Sequence, residues 1–162
     1  MRPSIRPMQE HDIDTFARLR CDEFFEATGK TVDDDAEGLR QLLLDGVFEI
    51  ALVAEMGGVA VGSGLFIRNE LEPMHDLTPW LAGLVVVPEY RGRGIGRDLV
   101  RAIETHARSV GCRELHLYTG DAEPFYASLG WDVADRFTQD GELMVLMSRG
   151  LVEEQRWPRS MA

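Results

Sequence analysis

Lysine is nearly absent from this sequence. Lys30 is the one lysine among 17 basic residues, whereas 28 residues are acidic, which gives a formal net charge of −11. A protein that coats nucleic acid needs a basic surface to contact the phosphates. The charge balance therefore argues against a nucleic-acid partner and weakly favours a cationic or amine-bearing one.

Cysteine is also scarce, and long apolar runs are missing. Cys21 and Cys112 are far apart and form no C-x-x-C pair, so the sequence predicts neither a metal site nor a disulfide framework. The longest apolar run, near residues 84–88, is far shorter than the ~20 residues of a membrane helix. Residues 1–10 have no apolar stretch typical of a signal peptide. We therefore expect a cytoplasmic protein with no membrane partner.

The order of predicted elements indicates one mixed α/β domain over residues 1–151, followed by a polar tail over 152–162. Apolar alternation and turn residues predict strands at 5–8, 48–55, 59–67, 81–87, 114–118, 131–137 and 142–148. Helical spacing predicts helices at 13–24, 32–44, 94–110 and 122–129. The first helix places Ile13, Phe16, Leu19 and Phe24 on one apolar stripe.

The most informative segment joins a buried strand to the longest predicted helix. Residues 87–97 read V-P-E-Y-R-G-R-G-I-G-R, with glycines at every second position from 92 to 96. Such glycines allow main-chain N–H groups to close on an anion at a helix N-terminus, where the helix dipole favours negative charge. Arg91, Arg93 and Arg97 are out of character in an acidic chain. The segment therefore predicts a phosphate or pyrophosphate cradle rather than a ligand-free turn.

Two common phosphate loops are disfavoured here. A Walker A loop needs Gly-Lys-Ser/Thr, and a dinucleotide fingerprint needs a glycine where Arg97 stands. The pattern that fits is R-x-x-G-x-G, and residues 123–131 follow about thirty residues later as E-P-F-Y-A-S-L-G-W. Together they resemble the coenzyme A loop and the tyrosine segment of the Gcn5-related N-acetyltransferases (GNAT family). The resemblance covers residues 5–151.

The resemblance implies a GNAT-like mixed, mostly antiparallel sheet with a central splayed parallel strand pair, flanked by about four helices. In that family acetyl-CoA lies between the splayed strands, here 81–87 and 114–118, and the loop amides hold its pyrophosphate. The matching positions imply cofactor binding by Leu84, Val85, Val86, Arg91, Gly92, Arg93, Gly94, Ile95, Gly96, Arg97 and Thr119. Thr119 stands where many members have an asparagine. Tyr126 matches the tyrosine that protonates the departing thiolate, a role that suits a phenol.

The implied function is transfer of an acetyl group from acetyl-CoA to a primary amine by direct attack. No cysteine lies in the loop or the tyrosine segment to carry a covalent intermediate. The acceptor stays open between small amines, amino-sugars, polyamines, amino acids and protein amines, and so does the presence of a homodimer. The acidic stretch 22–37 is a hypothetical recruiting surface for a cationic acceptor.

The general base is not assigned from the sequence, because the strand at 81–87 contains no acidic residue. Glu72, His75, Asp76 and His116 remain alternatives. A non-catalytic acyl-CoA-binding or sensor domain is the second hypothesis. A nucleotide phosphate-binding enzyme is the third, and it predicts stronger thermal stabilisation by ATP or NAD than by coenzyme A.

Overall fold

One seven-stranded sheet organises the chain, which a computed structural model describes over residues 2–25, 28–70 and 76–152. The strands are β1 (Ser4–Pro7), β2 (Ile50–Met56), β3 (Val59–Ile67), β4 (Trp80–Val86), β5 (Glu114–Thr119), β6 (Asp132–Gln139) and β7 (Glu142–Gly150). The helices are α1 (Ile13–Arg20), α2 (Val32–Asp45), α3 (Ile95–Ser109) and α4 (Glu123–Ser128). The strand order is β1-β2-β3-β4-β5-β7-β6, and β4 with β5 is the parallel pair. The predicted fold class is confirmed.

Helices cover both faces of the sheet because successive strand residues point to opposite sides. Leu65 packs in a core with Phe16 of α1 and Leu39 of α2, whereas its neighbour Phe66 packs with Leu99 of α3. The sheet therefore separates an α1–α2 face from an α3–α4 face. In the part of the chain that the structure describes, no helix is long and apolar enough to span a bilayer.

The second helix begins at Val32, as predicted, and ends at Asp45, one residue beyond the predicted end. The Thr31 hydroxyl accepts a hydrogen bond from the Asp34 N–H at 3.0 Å, and the Asp34 carboxylate accepts one from the Thr31 N–H at 3.2 Å. This reciprocal capping box satisfies two donors that the helix leaves unpaired. Gly46 ends the helix with a φ of 65°, a left-handed conformation that glycine adopts without strain.

The first helix differs from the prediction at its end. Regular α-helix stops at Arg20, and residues Cys21–Phe25 form a π-helical turn. A π turn holds more residues than an α turn and therefore rotates the following side chains around the axis. As a result Phe24 leaves the buried stripe and is 43% exposed.

The parallel strands β4 and β5 touch at one end and diverge from it. Trp80 of β4 pairs with His116 of β5, and the His116 N–H donates a hydrogen bond to the Pro79 carbonyl at 3.1 Å. The Trp80 ring is fully buried, and its Nε1 donates to the Leu77 carbonyl at 2.8 Å. His116 is buried beside that ring, at a distance of 5.6 Å between ring centroids. Both residues therefore anchor the closed end of the strand pair.

Candidate active site

A bulge in β4 turns this strand away from β5. Val85 and Val86 pair with Ser63 and Gly62, but the register then shifts so that Ala82 pairs with Leu65. Residues 83 and 84 consequently oppose one residue of β3. Gly83 has a φ of +59°, as expected for a bulge that needs a left-handed residue. The bulge lies beyond the paired residues Trp80 of β4 and His116 of β5, so the gap between the two strands opens at the bulge.

Arg20 of α1 is packed against this bulge. Its Nε donates to the Asp35 carboxylate at 2.9 Å and its Nη2 at 3.3 Å, which anchors the guanidinium to α2. Its Nη1 is buried and has no hydrogen-bond partner among the described residues. A methyl group added to Gly83 would overlap this Nη1. Arg20 and the bulge therefore fit only while residue 83 has no side chain.

Gly83→Ala should lower the free energy of unfolding by more than Gly57→Ala does. Both glycines have nearly the same left-handed φ, +59° and +57°, but a methyl group on Gly57 meets no atom within 4 Å. The control should lose about 1–2 kcal/mol from backbone strain alone. Overpacking against Arg20 should add about 1–3 kcal/mol. Urea unfolding curves measure the difference, and equal losses would show that Arg20 yields without cost.

The loop before α3 presents unpaired main-chain donors. Gly92 and Gly94 have φ values of +78° and +82°, and α3 begins immediately after Gly94. In the part of the chain that the structure describes, the N–H groups of residues 92–97 donate to no acceptor, and no side chain caps the helix start. A methyl group on Gly96 would lie 3.4 Å from the Phe125 ring, so glycine lets α4 approach. Unpaired amides at a helix N-terminus favour an anion, and the contact of these residues with a pyrophosphate remains a prediction.

The three loop arginines have different environments. The Arg91 Nε donates to the Val86 carbonyl at 3.0 Å, and its Nη2 is paired with Glu23, so this side chain fixes the loop to β4. The Arg93 guanidinium lies 5.0 Å from the centre of the Tyr90 ring. The Arg97 side chain is 54% exposed and lies next to Gly94. Arg97, whose Nε lies 3.5 Å from the Asp98 carboxylate, therefore supplies an exposed positive charge beside the amides, whereas Arg91 shapes the loop.

Tyr126 lies in α4 with its ring between Phe125 and Trp131, at centroid distances of 5.0 and 6.0 Å. It is 7% exposed, and its hydroxyl has no hydrogen-bond partner among the described residues. Burial raises the pKa of this phenol well above its usual value, and the nearby Asp121 charge raises it further. The hydroxyl is therefore protonated at neutral pH, with its proton available to a ligand.

Thr119 ends β5, where it pairs with Val145 of β7. Its hydroxyl oxygen accepts a hydrogen bond from the Ala122 N–H at 3.1 Å, which positions the start of α4. A hydroxyl that accepts one hydrogen bond keeps its own proton to donate. The predicted contact of Thr119 with the pantetheine arm remains a prediction.

A polar pocket of about 380 Å³ lies on the α1–α2 face. We define this polar pocket by its lining residues Arg20, Phe25, Lys30, Asp35, Gly38, Leu39, Leu42, Leu65, Ile67, Glu70 and Tyr118. Tyr118 lies in β5 two residues beyond His116, which pairs with Trp80, and is therefore at the level of Ala82 in β4. The polar pocket therefore borders the gap between the strands from the side opposite to α3 and α4.

Glu70 and Tyr118 are site residues that the sequence analysis missed. Glu70 is half-buried and lines the polar pocket together with Tyr118. Burial raises the pKa of Glu70, although Arg20, the Tyr118 hydroxyl and Lys30 each lower it. Burial and Glu70 raise the pKa of Tyr118 to about 12. No sequence pattern signals this pair, because one residue lies in a loop and the other in a distant strand.

The alternative bases from the sequence have other positions. His116 anchors the closed end of the strand pair, and Asp76 is exposed. Glu72 and His75 lie outside the described residues.

The described acidic residues of the stretch 22–37 do not face the polar pocket as a block. Asp35 is held by Arg20 and by Lys30, whose Nζ lies 3.3 Å from its carboxylate. Asp34 caps α2, and Glu37 pairs with Arg40 at 3.0 Å. These carboxylates therefore serve the fold of the helix pair.

A larger pocket, of about 590 Å³, lies elsewhere in the described structure. Its lining comes from β1, β2 and the later turns of α2 and α3, including Ile5, Leu42, Ile50, Ala102 and His106. None of its lining residues belongs to β4, β5 or the glycine loop. It is therefore separate from the gap between β4 and β5 and from the glycine loop.

Comparisons with known proteins agree with this geometry. The family model described as "Acetyltransferase (GNAT) family" matches residues 13–131. An aminoglycoside N(6')-acetyltransferase type 1 from Stenotrophomonas maltophilia is 32% identical over 116 residues, which are 70% of this chain and 72% of that protein.

Solved structures show the same fold. A putative acetyltransferase from Salmonella typhimurium, solved with its cofactor acetyl-CoA, has a TM-score of 0.75 and 18% identity, covering 98% of this chain and 99% of that one. An aminoglycoside 6'-N-acetyltransferase complexed with coenzyme A has a TM-score of 0.75 and 19% identity, covering 94% and 99%. The chain therefore belongs to the GNAT family of acetyltransferases, and the predicted acetyl-CoA-dependent N-acetyltransferase is confirmed.

Proposed function

We propose that this enzyme acetylates a primary amine of a small molecule, with the cofactor held in the gap between β4 and β5. The observation that carries the proposal is the set of unpartnered amides at residues 92–97, which lie beside the open end of that strand pair. The relative from Stenotrophomonas maltophilia is named for an amino-sugar acceptor. The polar pocket has a volume that suits a small acceptor.

The cofactor side of the site belongs to β4 and the loop. The edges of Leu84, Val85 and Val86 that face away from β3 offer main-chain groups to the pantetheine arm, in the way a strand is added to a sheet. The amides of residues 92–97 hold the pyrophosphate, with Arg97 beside them and Arg91 and Arg93 bracing the loop. Thr119 offers its hydroxyl at the end of β5.

Acetyl-CoA supplies an activated thioester when bound. The chain orients the acceptor so that its neutral amine attacks directly, and main-chain N–H groups near the bulge stabilise the developing negative charge. Tyr126 donates its proton to the departing sulfur. No described cysteine lines the polar pocket or the loop, which favours direct transfer.

The acceptor is tested by measuring released coenzyme A thiol with DTNB against a panel of aminoglycosides, polyamines, amino acids and peptides. We expect turnover with at least one small amine and little with peptides. Tight acetyl-CoA binding without turnover on any amine would instead favour a sensor domain. Thermal stabilisation by ATP or NAD above that by coenzyme A would favour a nucleotide enzyme.

The cytoplasmic location is also part of this proposal. Its support is the pair of free cysteines, Cys21 and Cys112, which suits a reducing compartment.

A further inference from the structure

We propose that the polar pocket receives the acceptor amine and that Glu70 is the general base that deprotonates it, with the Tyr118 side chain beside it in the pocket lining. The inference rests on the proposed function and adds the residue that the sequence left unassigned. Its basis is the position of a carboxylate that forms no ion pair among the described residues, in a pocket that borders the gap between β4 and β5.

The charges lining the polar pocket single out Glu70. Asp35 is engaged by two cations, since Arg20 contacts it at 2.9 Å and Lys30 at 3.3 Å. Glu70 forms no ion pair within 4.0 Å in the described part of the chain, and the Tyr118 phenol in the same pocket is neutral. An ammonium group entering the pocket therefore finds one carboxylate whose charge is not already paired.

The position of Glu70 suits the reaction. Tyr118 stands across the gap from the β4 bulge, at the point where the two strands have separated. Tyr126 lies on the α3–α4 face, in the core beside Trp131. A base on one face of the sheet and an acid on the other leave the gap between them for the reacting groups.

The proton and electron balance closes with these residues. The Glu70 carboxylate accepts one proton from the acceptor ammonium, and the neutral nitrogen forms a bond to the thioester carbonyl carbon. The C–S bond breaks with its electron pair on sulfur, which accepts the proton of Tyr126. Tyr126 regains a proton from the new amide nitrogen, and Glu70 releases its proton to solvent. The products are an N-acetyl amide, the free thiol of coenzyme A and one proton.

The titration of Glu70 has a definite direction. The groups that face it are Arg20 of α1, Lys30 and Asp35 at the start of α2, and Tyr118 of β5. Burial raises its pKa, while Arg20, Tyr118 and Lys30 lower it. A base must be ionised to act, so kcat/KM should rise with pH through the pKa of Glu70. Because the Tyr118 hydroxyl lowers the pKa of Glu70, its removal should raise that pKa and move the rise to higher pH.

The test compares pH profiles of kcat/KM for the whole protein and three variants, with the best amine of the panel. Glu70→Gln should lower kcat/KM at pH 7 by about tenfold or more and abolish the acidic limb, with acetyl-CoA affinity unchanged. Tyr118→Phe should keep the limb but shift it to higher pH. Glu142→Gln, which changes an exposed carboxylate at the start of β7, should leave the profile unchanged. A wild-type profile in Glu70→Gln would overturn the proposal.

A second measurement needs no turnover. The carboxyl carbon of Glu70 is followed by NMR in protein labelled with ¹³C at glutamate side chains, with Glu70→Gln as the assignment control. Methylammonium chloride should shift this resonance, whereas sodium chloride at the same ionic strength should not. If no amine of the panel is acetylated, the proposed acceptor class fails, and this titration still decides the pocket: a shift supports it, and no shift overturns it.

Discussion

Gly94→Glu should abolish binding of acetyl-CoA. Gly94 is the residue before α3, with a φ of +82°, and a methyl group there would lie 2.8 Å from the Arg97 Nη2. A glutamate would bring bulk and negative charge to the amides that the pyrophosphate needs, and its carboxylate would draw Arg97 to itself. Loss of two charge-assisted hydrogen bonds, at about 1.5 kcal/mol each, raises Kd by roughly 100-fold. Calorimetric titration with coenzyme A measures the change.

Gly141→Glu is the matched control for that experiment. Gly141 lies in the turn between β6 and β7 and has the same φ of +82°, with no atom within 4 Å of an added methyl group. It therefore carries the same backbone strain and the same added charge away from the site. We expect its affinity for coenzyme A to match that of the unchanged protein. Equal affinities of all three proteins would refute the assignment of the glycine loop.

Tyr126→Phe should lower kcat by about 100-fold, the lower end of typical general-acid contributions. The phenylalanine ring retains the packing against Phe125 and Trp131, and the hydroxyl that is lost has no partner in the described protein. Both the thermal midpoint and the Kd for acetyl-CoA should therefore stay unchanged while turnover falls. Steady-state kinetics beside calorimetry separates the two effects.

The pH dependence of Tyr126 gives a further check. Burial raises the pKa of its phenol, so the acid form persists through the neutral and mildly alkaline range. The unchanged enzyme should accordingly show no loss of kcat from Tyr126 ionisation up to pH 10. If the Tyr126→Phe variant turns over as fast as the unchanged enzyme, Tyr126 has no part in the mechanism, and water protonates the thiolate instead.

Much of the fold followed from local patterns. The helix predicted at 32–44 and the strands predicted at 48–55 and 59–67 occur close to those bounds, because short-range hydrogen bonds and backbone sterics fix them. Phe24 is the exception. Its spacing suits an α-helix, but the π turn after Arg20 rotates it towards solvent.

The glycine loop before α3 was also accessible from the sequence, since its glycines and its helix start are contiguous along the chain. The sequence did not indicate what each arginine of the loop contacts. Arg91 contacts the Val86 carbonyl and Glu23, and Glu23 is 68 residues away along the chain, so local patterns do not predict that ion pair.

By itself the sequence determined the family, the fold class and the position of the glycine-rich turn before α3, because each depends on neighbouring residues whose spacing is visible. Only the tertiary structure decided how the polar pocket is built. Arg20, Glu70 and Tyr118 come from a helix, a loop and a strand, and they meet at the β4 bulge. The charge and the proton affinity of Glu70 depend on burial and on those distant partners, and neither is encoded in the residues next to it.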